Sequence, residues 1–510
     1  MRLRLDCYLY CAICIYTILY ILIISIDDKG EGVFKYLIGI KRSVADAILP
    51  DYVVQTDAYI VNTYYYPTSP SLGDNAVAMI LLMNRNTMRD VTQYEMKLIG
   101  TNDTNRIAVV PTLTQDAFAD CAYVNIVANV NMLPNMNKLE LTSLSPDGQL
   151  ITMNIGYKSA RSTAPKPVII CVAPQFVAEQ WQLFVSHAHI ANYFGGHLHL
   201  YVTSMIDPYF QLVQLYQKYG YVTLDYWLRM NFNNASATIE PNSNTEWRNQ
   251  AGSHTDCLYQ YKDTAKFITF FDLDDILFPR GFNSYLDEFN TYSFMYPKIQ
   301  AFHYEKREYS FWKDPTYMGM NMTKLFGHTM YATRLYAGKV VASPRYLKSM
   351  WIHITHNIPR NKKMWITNNM LTHLQKPYSE NGTDPVPGKS NKRYEEFKNL
   401  NISTTVLQGI QKDLEDMRSI PQVAELGAKL PKEDYYFPLV YKCYEKKYYL
   451  IGFWGRFNSC PNGEGCDFPQ RADLQCMHSD ATYKSGPPMF PIRFHYHVDP
   501  FWNHDIGCYQ

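Results

Sequence analysis

A short apolar run that stops abruptly in three carboxylates constrains this chain more than any other feature. Residues 267–271, Phe-Ile-Thr-Phe-Phe, do not alternate with charged residues, which is typical of a strand buried on both faces. Asp272, Asp274 and Asp275 follow at its carboxyl end. Because ligands of open α/β sheets bind just outside the carboxyl ends of the strands, we expect these acids to line a crevice.

Crowded carboxylates predict a cation site. They repel one another and lose hydration unless a cation lies between them, and hard oxygen ligands suit Mn²⁺ or Mg²⁺. A metal held there would keep positions free for phosphate oxygens, so the pattern indicates a site that binds a diphosphate. In the structural alternative, Asp275 caps the next helix and the other acids are solvated. An EF-hand is disfavoured, because the glycine and later glutamate of that loop are missing.

The order of strand-like and helix-like segments along the chain predicts an α/β fold. Residues 51–164 contain short β-type runs separated by Asn, Asp, Gly and Pro, which indicate a small antiparallel module of the sandwich type. Further along, helical patterns separate apolar runs, and this alternation implies a parallel sheet with right-handed crossovers. We therefore expect a mostly parallel sheet with flanking helices, preceded by a small all-β module. The strands predicted before the acidic run are 168–172, 198–203, 221–226 and 267–271, with a helix at 246–261.

The amino terminus contains a candidate membrane anchor. Residues 7–26 carry no charge, and as a helix they would extend over about 30 Å, the thickness of the hydrocarbon core. We favour an uncleaved anchor over a signal peptide, because residues 25–28 form a poor cleavage site. Arg2 and Arg4 place the amino terminus in the cytosol. The expected organisation is a cytoplasmic tail (1–6), a signal-anchor (7–26), a stem (27–50), the β-rich module (51–164), a catalytic domain (165–440) and a cysteine-rich tail packed on it (441–510).

The cysteine count and the charge bear on the compartment and the partners. Eight cysteines follow residue 26, and an even number in an oxidising compartment predicts disulfides without choosing their pairing. Structural zinc in the tail is the less favoured alternative, because no Cys-x-x-Cys pair occurs there. A formal net charge of +1 and the lack of a long basic run argue against nucleic-acid binding. Glycosylation sequons begin at Asn102, Asn234, Asn321, Asn381 and Asn401.

From about residue 167 to 359 the chain resembles glycosyltransferase family 92, a group expanded in nematodes. The resemblance implies a GT-A-like fold and a single-pass type II protein of the Golgi membrane with a lumenal catalytic domain. It also implies Mn²⁺ (or Mg²⁺), a UDP-sugar donor, an acceptor glycan on a glycoprotein or glycolipid, and inverting transfer, which in known members moves galactose from UDP-galactose. The motifs that carry it are Asp256-Cys257-Leu258, Asp272-Leu273-Asp274-Asp275 with Pro279, Gly338-Lys339 with Pro344, and Trp351-Ile352-His353.

The resemblance also implies roles for individual residues. Asp274 would coordinate the metal, Asp272 would approach the ribose or bind the metal directly or through a water, and Asp275 would hold the loop or share the metal. A neutral imidazole can complete a carboxylate metal site, and His353 is the candidate, with His356 and His328 as weaker substitutes. Inversion needs a general base near the acceptor hydroxyl. We assign that role to Glu305, at the end of the strand after the acidic loop.

Two other functions compete with an active transferase. The first is a catalytically silent membrane protein that binds carbohydrate through its β module and aromatic surface. The second is a haloacid-dehalogenase-like phosphohydrolase, whose opening motif resembles Asp-Leu-Asp-Asp. Ile276 stands where that family has threonine, and three predicted strands precede the motif instead of none. The three retained acids favour the transferase over the silent protein.

Overall fold

The structure, a computed structural model, describes most of the chain after residue 55. None of the helices in this part of the chain combines the length and the apolarity that a membrane span requires. The predicted tail, anchor and stem (1–50) lie outside the described residues and stay predictions. Residues 55–510 belong to one compact unit. The described residues are 56–85, 96–115, 121–144, 148–233, 240–312, 314–327, 330–378, 394–396, 402–449, 460–466, 468–469, 471–489 and 492–508.

Twenty-one strands lie within these residues. In chain order they are β1 (Thr56–Tyr66), β2 (Ala76–Asn84), β3 (Lys97–Thr101), β4 (Arg106–Val109), β5 (Thr112–Gln115), β6 (Tyr123–Asn131), β7 (Lys138–Leu144), β8 (Leu150–Ile155), β9 (Lys158–Ser159), β10 (Val168–Val172), β11 (Gly196–Val202), β12 (Ser204–Ile206), β13 (Val222–Tyr226), β14 (Phe267–Phe271), β15 (Asp275–Leu277), β16 (Ala301–Trp312), β17 (Met330–Ala342), β18 (Lys363–Tyr378), β19 (Tyr394–Glu396), β20 (Gln475–Ser485) and β21 (Ile492–Ile506).

The α-helices lie between the strands from β10 onwards. They are α1 (Trp181–Tyr193), α2 (Asp207–Lys218), α3 (Gln250–Gln260), α4 (Tyr285–Met295), α5 (Met322–Gly327), α6 (Thr404–Arg418), α7 (Pro421–Lys429) and α8 (Tyr436–Tyr444).

One sheet carries the acidic run. Its strand order is β13-β11-β10-β14-β17-β16-β18-β15. The first four strands are parallel, as the alternating pattern predicts. The later pairings of β14 with β17, β17 with β16 and β18 with β15 are antiparallel. The expectation of a mostly parallel sheet is met throughout the first half. In the second half only the pairing of β16 with β18 is parallel, and the other pairings are antiparallel.

Burial explains why β10 and β14 read as apolar runs. Every residue of both strands is buried. Along β10, Ile170 and Val172 pack into the core that contains α1 and α2, whereas Ile169 and Cys171 pack into a second core with α3 and residues of β1 and β2. Because successive side chains of a strand point to opposite faces, both faces of this sheet are covered.

The all-β part forms two antiparallel-rich sheets, one of which includes the carboxyl terminus. The larger has the order β12-β20-β21-β1-β2-β6-β5, with β9 on β1, and the smaller has the order β4-β3-β7-β8. β21 pairs in parallel with β1, and β20 pairs with β12, which follows β11 of the α/β sheet. The segment predicted as a packed tail thus supplies two strands to the sheet that β1 begins.

Disulfides pair all eight cysteines beyond residue 26, which confirms the prediction of disulfide bonds. The alternative of a thiolate zinc site in the tail is therefore wrong, since none of these sulfur atoms is free to bind a metal. The pairs are Cys121–Cys460, Cys171–Cys257, Cys443–Cys466 and Cys476–Cys508.

The start of α4 offers a direct test of the fold. The Ser284 side chain accepts a hydrogen bond of 3.1 Å from the Asp287 backbone N–H, which satisfies one of the open donors of the first turn. We expect Ser284→Ala to lower the free energy of unfolding by about 1 kcal/mol, measured by urea denaturation. Ser284→Asp restores an acceptor and should unfold like the wild type. Equal loss in both variants would contradict the capping role.

Candidate active site

The three acids lie in a tight turn at the carboxyl end of β14. The Asp275 N–H donates to the Asp272 carbonyl at 3.0 Å, and β15 begins at Asp275 and pairs with β18. The alternative in which Asp275 caps a helix is therefore wrong. Val172 of β10 lies beside Phe271 of β14 in the parallel register, so the loop after β10 and the acidic turn leave the sheet at the same edge.

A cleft opens at this edge, as expected for an α/β sheet. Its volume is about 210 Å³. The walls are formed by residues 173–180 after β10, by Asp272 and Asp274, by Tyr209 of α2 and by Phe437 of α8. We call this the acidic cleft. It combines apolar walls with three carboxylates, those of Glu179, Asp272 and Asp274, which is typical of a ligand site.

Two lysines, the buried Lys339 and the half-buried Lys306, compensate two of the three acids. Lys339 Nζ lies 2.8 Å from Asp272 Oδ2, and the Gln250 side chain donates to the other oxygen at 2.7 Å. Lys306 Nζ lies 3.6 Å from Asp275 Oδ1. Burial alone raises the pKa of Asp272, but the attraction of Lys339 and Lys306 outweighs it, and the pKa falls below its usual value. Asp272 is therefore ionised and held in a fixed orientation.

His373 completes a cluster with Asp274 and Asp275. The three side chains offer ligand atoms within 4.8 Å of one another. His373 lies opposite Asp275 in the β15–β18 pair, and its Nδ1 is 2.7 Å from Asp275 Oδ1 and 3.5 Å from Asp274 Oδ1. Burial lowers the pKa of His373, yet Asp274 and Asp275 together raise it above the usual value. The fold thus places a histidine from β18, a strand distant in sequence, next to the acidic run.

Asp274 is the least compensated carboxylate of the three. Burial raises its pKa, and the neighbouring charges of Asp275 and Asp272 add to the effect, so that the opposing attraction of His373 is overcome. Asp275 behaves differently. Burial alone would raise its pKa, but Lys306 and His373 hold the pKa far below the usual range. A cation bound beside Asp274 would supply the charge that this carboxylate lacks.

These residues fit a divalent metal ion. Asp275 Oδ2 is buried and has no hydrogen-bond partner within the described part of the chain, so a second carboxylate oxygen is available at the cluster. Two carboxylates and one imidazole form a donor set that suits Mn²⁺ and can also hold Mg²⁺. Asp274, Asp275 and His373 are the residues that would hold the ion.

Sequence comparison identifies the family. The family model described as "Glycosyltransferase family 92" matches residues 166–418. A glycosyltransferase family 92 protein of Caenorhabditis elegans is 40% identical over 462 residues, covering 89% of this chain and 90% of that protein. This chain belongs to glycosyltransferase family 92. A second family 92 protein of the same organism is 36% identical over 474 residues, with coverage of 89% and 91%.

Comparison with solved structures adds little to this family 92 protein. A structure of S. aureus TarS is 9% identical, with a TM-score of 0.21 and coverage of 41% of this chain and 59% of that one. Glucosyl-3-phosphoglycerate synthase from Mycobacterium tuberculosis is 12% identical, with a TM-score of 0.23 and coverage of 42% and 73%. Both scores are too low to support a conclusion about this chain.

Neither His353 nor Glu305, the other two predicted residues of this family 92 protein, belongs to the cluster of Asp274, Asp275 and His373. His353 Nδ1 donates to the Gly338 carbonyl at 2.9 Å, and burial, aided by Lys339 and Lys306, lowers its pKa to about 4. Glu305 is half-buried at the irregularity of β16 that precedes Lys306. His353 is not part of the group around Asp274. Its role as a metal ligand and the role of Glu305 as a base stay predictions.

No sequence pattern assigns His373, Lys306 or Lys339 a role at the acidic run. His373 lies in β18, about 100 residues after the acidic run, in a segment for which no strand is predicted. Its contact with Asp275 depends on a non-local pairing, and no local pattern reveals it. Positive partners could have been anticipated in kind, because three neighbouring acids, one of them buried, need compensating charge. Lys339 already belongs to a motif of the family resemblance, whereas no sequence signal singles out Lys306.

Proposed function

We propose that this family 92 protein is a metal-dependent, inverting glycosyltransferase that moves a hexose, galactose from UDP-galactose, onto an acceptor glycan of a glycoprotein or glycolipid. The observation that carries the proposal is the cluster of Asp274, Asp275 and His373, of which Asp274 lines the acidic cleft. A carboxylate–imidazole cluster beside a cleft at the carboxyl ends of parallel strands is suited to a nucleotide diphosphate.

Each residue of the cleft has a distinct task in this proposal. Asp274, Asp275 and His373 hold the divalent ion, and the bound ion supplies a counter-charge to the departing diphosphate. Asp272 stays ionised because Lys339 lies 2.8 Å away, and it orients the ribose through an acceptor oxygen. Lys306 and His373 keep Asp275 ionised at physiological pH, so that this ligand needs no deprotonation before the ion binds.

The acceptor side of the reaction needs a base. In an inverting transfer the acceptor hydroxyl attacks the anomeric carbon while a side chain removes its proton. We assign this proton transfer to Glu305, whose neighbour Lys306 reaches the acidic cluster. Glu305→Gln should lower transfer to the acceptor while leaving donor binding unchanged. A variant with full transfer activity would exclude this assignment.

The proposal includes the cellular compartment of the protein. Disulfides persist in oxidising compartments, and the structure contains four of them. Together with the predicted anchor at 7–26, they support a type II protein of the Golgi membrane with the catalytic domain in the lumen. Localisation of the tagged full chain, combined with protease protection of its carboxyl terminus, tests this topology.

An acceptor screen tests the proposed activity. The full chain is incubated with UDP-galactose, Mn²⁺ and an array of glycan acceptors, and the product linkage is determined by NMR. We expect galactose transfer with inversion, and little transfer from UDP-glucose or UDP-N-acetylglucosamine. Binding of glycans without transfer from any nucleotide sugar would favour the silent carbohydrate-binding protein instead. Transfer of another sugar would retain the transferase and replace the donor.

A further inference from the structure

A second cavity lies between the α/β sheet and the large β-sheet. Its volume is about 110 Å³. Aromatic side chains contribute much of its wall, and Thr203 and Arg248 contribute polar groups. We call it the arginine cavity. It is close to the acidic cleft, because the Arg248 guanidinium lies 4.7 Å from the ring centre of Phe176, and Phe176 lines the acidic cleft. Its aromatic members are Tyr59, Tyr201, Tyr226 and Trp227.

The Arg248 side chain is buried, with an unused hydrogen-bonding edge. Only 8% of the residue is exposed, and Nη1 donates to Glu464. The remaining atoms Nε and Nη2 are buried without a hydrogen-bond partner among the residues that the structure describes. These two atoms form the fork that binds a pair of oxygen atoms in a carboxylate or phosphate. Thr203 Oγ1 is likewise buried and unpartnered within the described chain.

The charges next to the fork favour an anion. Glu464 is shared by two guanidinium groups, because Arg229 Nη2 also lies 2.8 Å from it, so that these three side chains together carry one net positive charge. The two acids of the cavity are already satisfied. Asp256 accepts hydrogen bonds from Tyr64, Tyr201, Asn62 and Gln260, and Asp225 is held by Gln260, His199 and Arg161.

The backbone that presents Arg248 is held in an unusual conformation. Trp247, Arg248 and Asn249 have φ values of 46°, 59° and 56°, a left-handed conformation that non-glycine residues rarely adopt in succession. Two contacts hold the segment. The Trp227 side chain donates to the Arg248 carbonyl at 2.7 Å, and the Asn249 side chain caps α3 by accepting from the Gly252 N–H. Such strain persists where surrounding contacts fix it and is concentrated at ligand sites.

We propose that the arginine cavity is a subsite for an anionic sugar residue of the acceptor, with its carboxylate or phosphate on the Arg248 fork and its ring against the aromatic wall. This inference rests on the proposed function, since it names the acceptor class of the same enzyme. Aromatic faces pack against the apolar faces of a sugar ring. The wall that Arg248 and Phe176 share places the subsite next to the cleft proposed for the donor.

Ligand binding tests the proposal without any turnover. Sodium glucuronate, glucose 6-phosphate and glucose are titrated into the full chain by calorimetry. We expect at least one of the two anionic sugars to bind about tenfold or more tightly than glucose, and the better of the two shows whether the anion is a carboxylate or a phosphate. Arg248→Lys keeps the charge but loses the fork, and should weaken that binding about 10- to 100-fold. Thr203→Val should weaken it less, by about two- to tenfold.

The controls separate this inference from the proposed function. Arg471→Lys, at a surface arginine paired with Asp473, should bind the anionic sugars like the wild type. Arg248→Lys should retain Mn²⁺-dependent hydrolysis of UDP-galactose. Absence of that hydrolysis in the wild type, with intact glucuronate binding, would refute the donor assignment and leave the subsite. Equal affinity for all three sugars, no binding, or displacement of the anionic sugar by UDP would overturn the subsite.

Discussion

Asp274→Asn should lower the rate of sugar transfer about 100- to 1,000-fold. The substitution keeps the shape of the side chain and removes the charge that a divalent ion requires. Loss of several kcal/mol of charge stabilisation at a diphosphate corresponds to a rate loss of that size. The measurement is release of UDP from UDP-galactose over a Mn²⁺ titration. Chelation by EDTA should abolish the activity of the wild type, and added Mn²⁺ should restore it.

An exposed acid outside the acidic cleft provides the matched control. Asp263 is exposed and accepts a hydrogen bond from Ser71 at 3.0 Å, away from the acidic cleft. Asp263→Asn should retain wild-type activity and the same dependence on Mn²⁺.

His373→Ala should raise the Mn²⁺ concentration needed for half-maximal rate. Wild-type, metal-independent turnover by Asp274→Asn would refute the metal assignment, whereas loss of activity in His353→Ala with normal Mn²⁺ dependence would separate His353 from the metal.

Gly338→Ala should lower the free energy of unfolding by about 3 kcal/mol or more. A Cβ atom on Gly338 would lie 1.7 Å from the Tyr304 carbonyl oxygen, and backbone atoms of a paired strand cannot yield as a flexible side chain does. The strands β16 and β17 would have to separate locally. The Gly338 carbonyl accepts from His353 and the next residue, Lys339, holds Asp272, so activity should fall as well. Urea denaturation and the UDP-release assay measure the two effects.

Gly156→Ala is the corresponding control. No atom lies within 4 Å of a Cβ built at Gly156, and the residue has no positive φ. Its free energy of unfolding should stay within about 0.5 kcal/mol of the wild type, as for most surface substitutions. If both glycine variants were equally stable, the close approach of β16 and β17 at Gly338 would be wrong.

Local patterns were sufficient for the first half of the α/β sheet. The strand at 267–271 has the predicted bounds, because a fully buried strand needs a continuous apolar run that is visible without its partners. The start of α2 at Asp207 and Pro208 is likewise marked locally, since an acid and a proline in the first turn are signals of a helix start. The acids could be located for the same reason, as they end a strand that the sequence itself defines.

The later half of the sheet depends on contacts that no local pattern contains. Sequence patterns indicate strands only at 298–304 and 339–342, which overlap parts of β16 and β17. The remaining residues of these two strands are held by pairing with each other and with β18. His373 reaches Asp275 only through such pairing. The shared sheet of the all-β part was missed similarly, because β1 and β21 come from opposite ends of the chain.

The pairing of β1 with β21 has a consequence for biosynthesis. Asp57 of β1 binds Arg493 of β21 across 436 positions, so a nascent chain emerging from the ribosome exposes an open strand edge until translation is almost finished. Unpaired strand edges can pair with other chains and cause aggregation. The disulfide of Cys476 likewise cannot form before Cys508 has been synthesised. A premature stop codon that removes β21 would therefore leave Cys476 with a free thiol and β1 with an unpaired edge. Quality control should retain and degrade the truncated product.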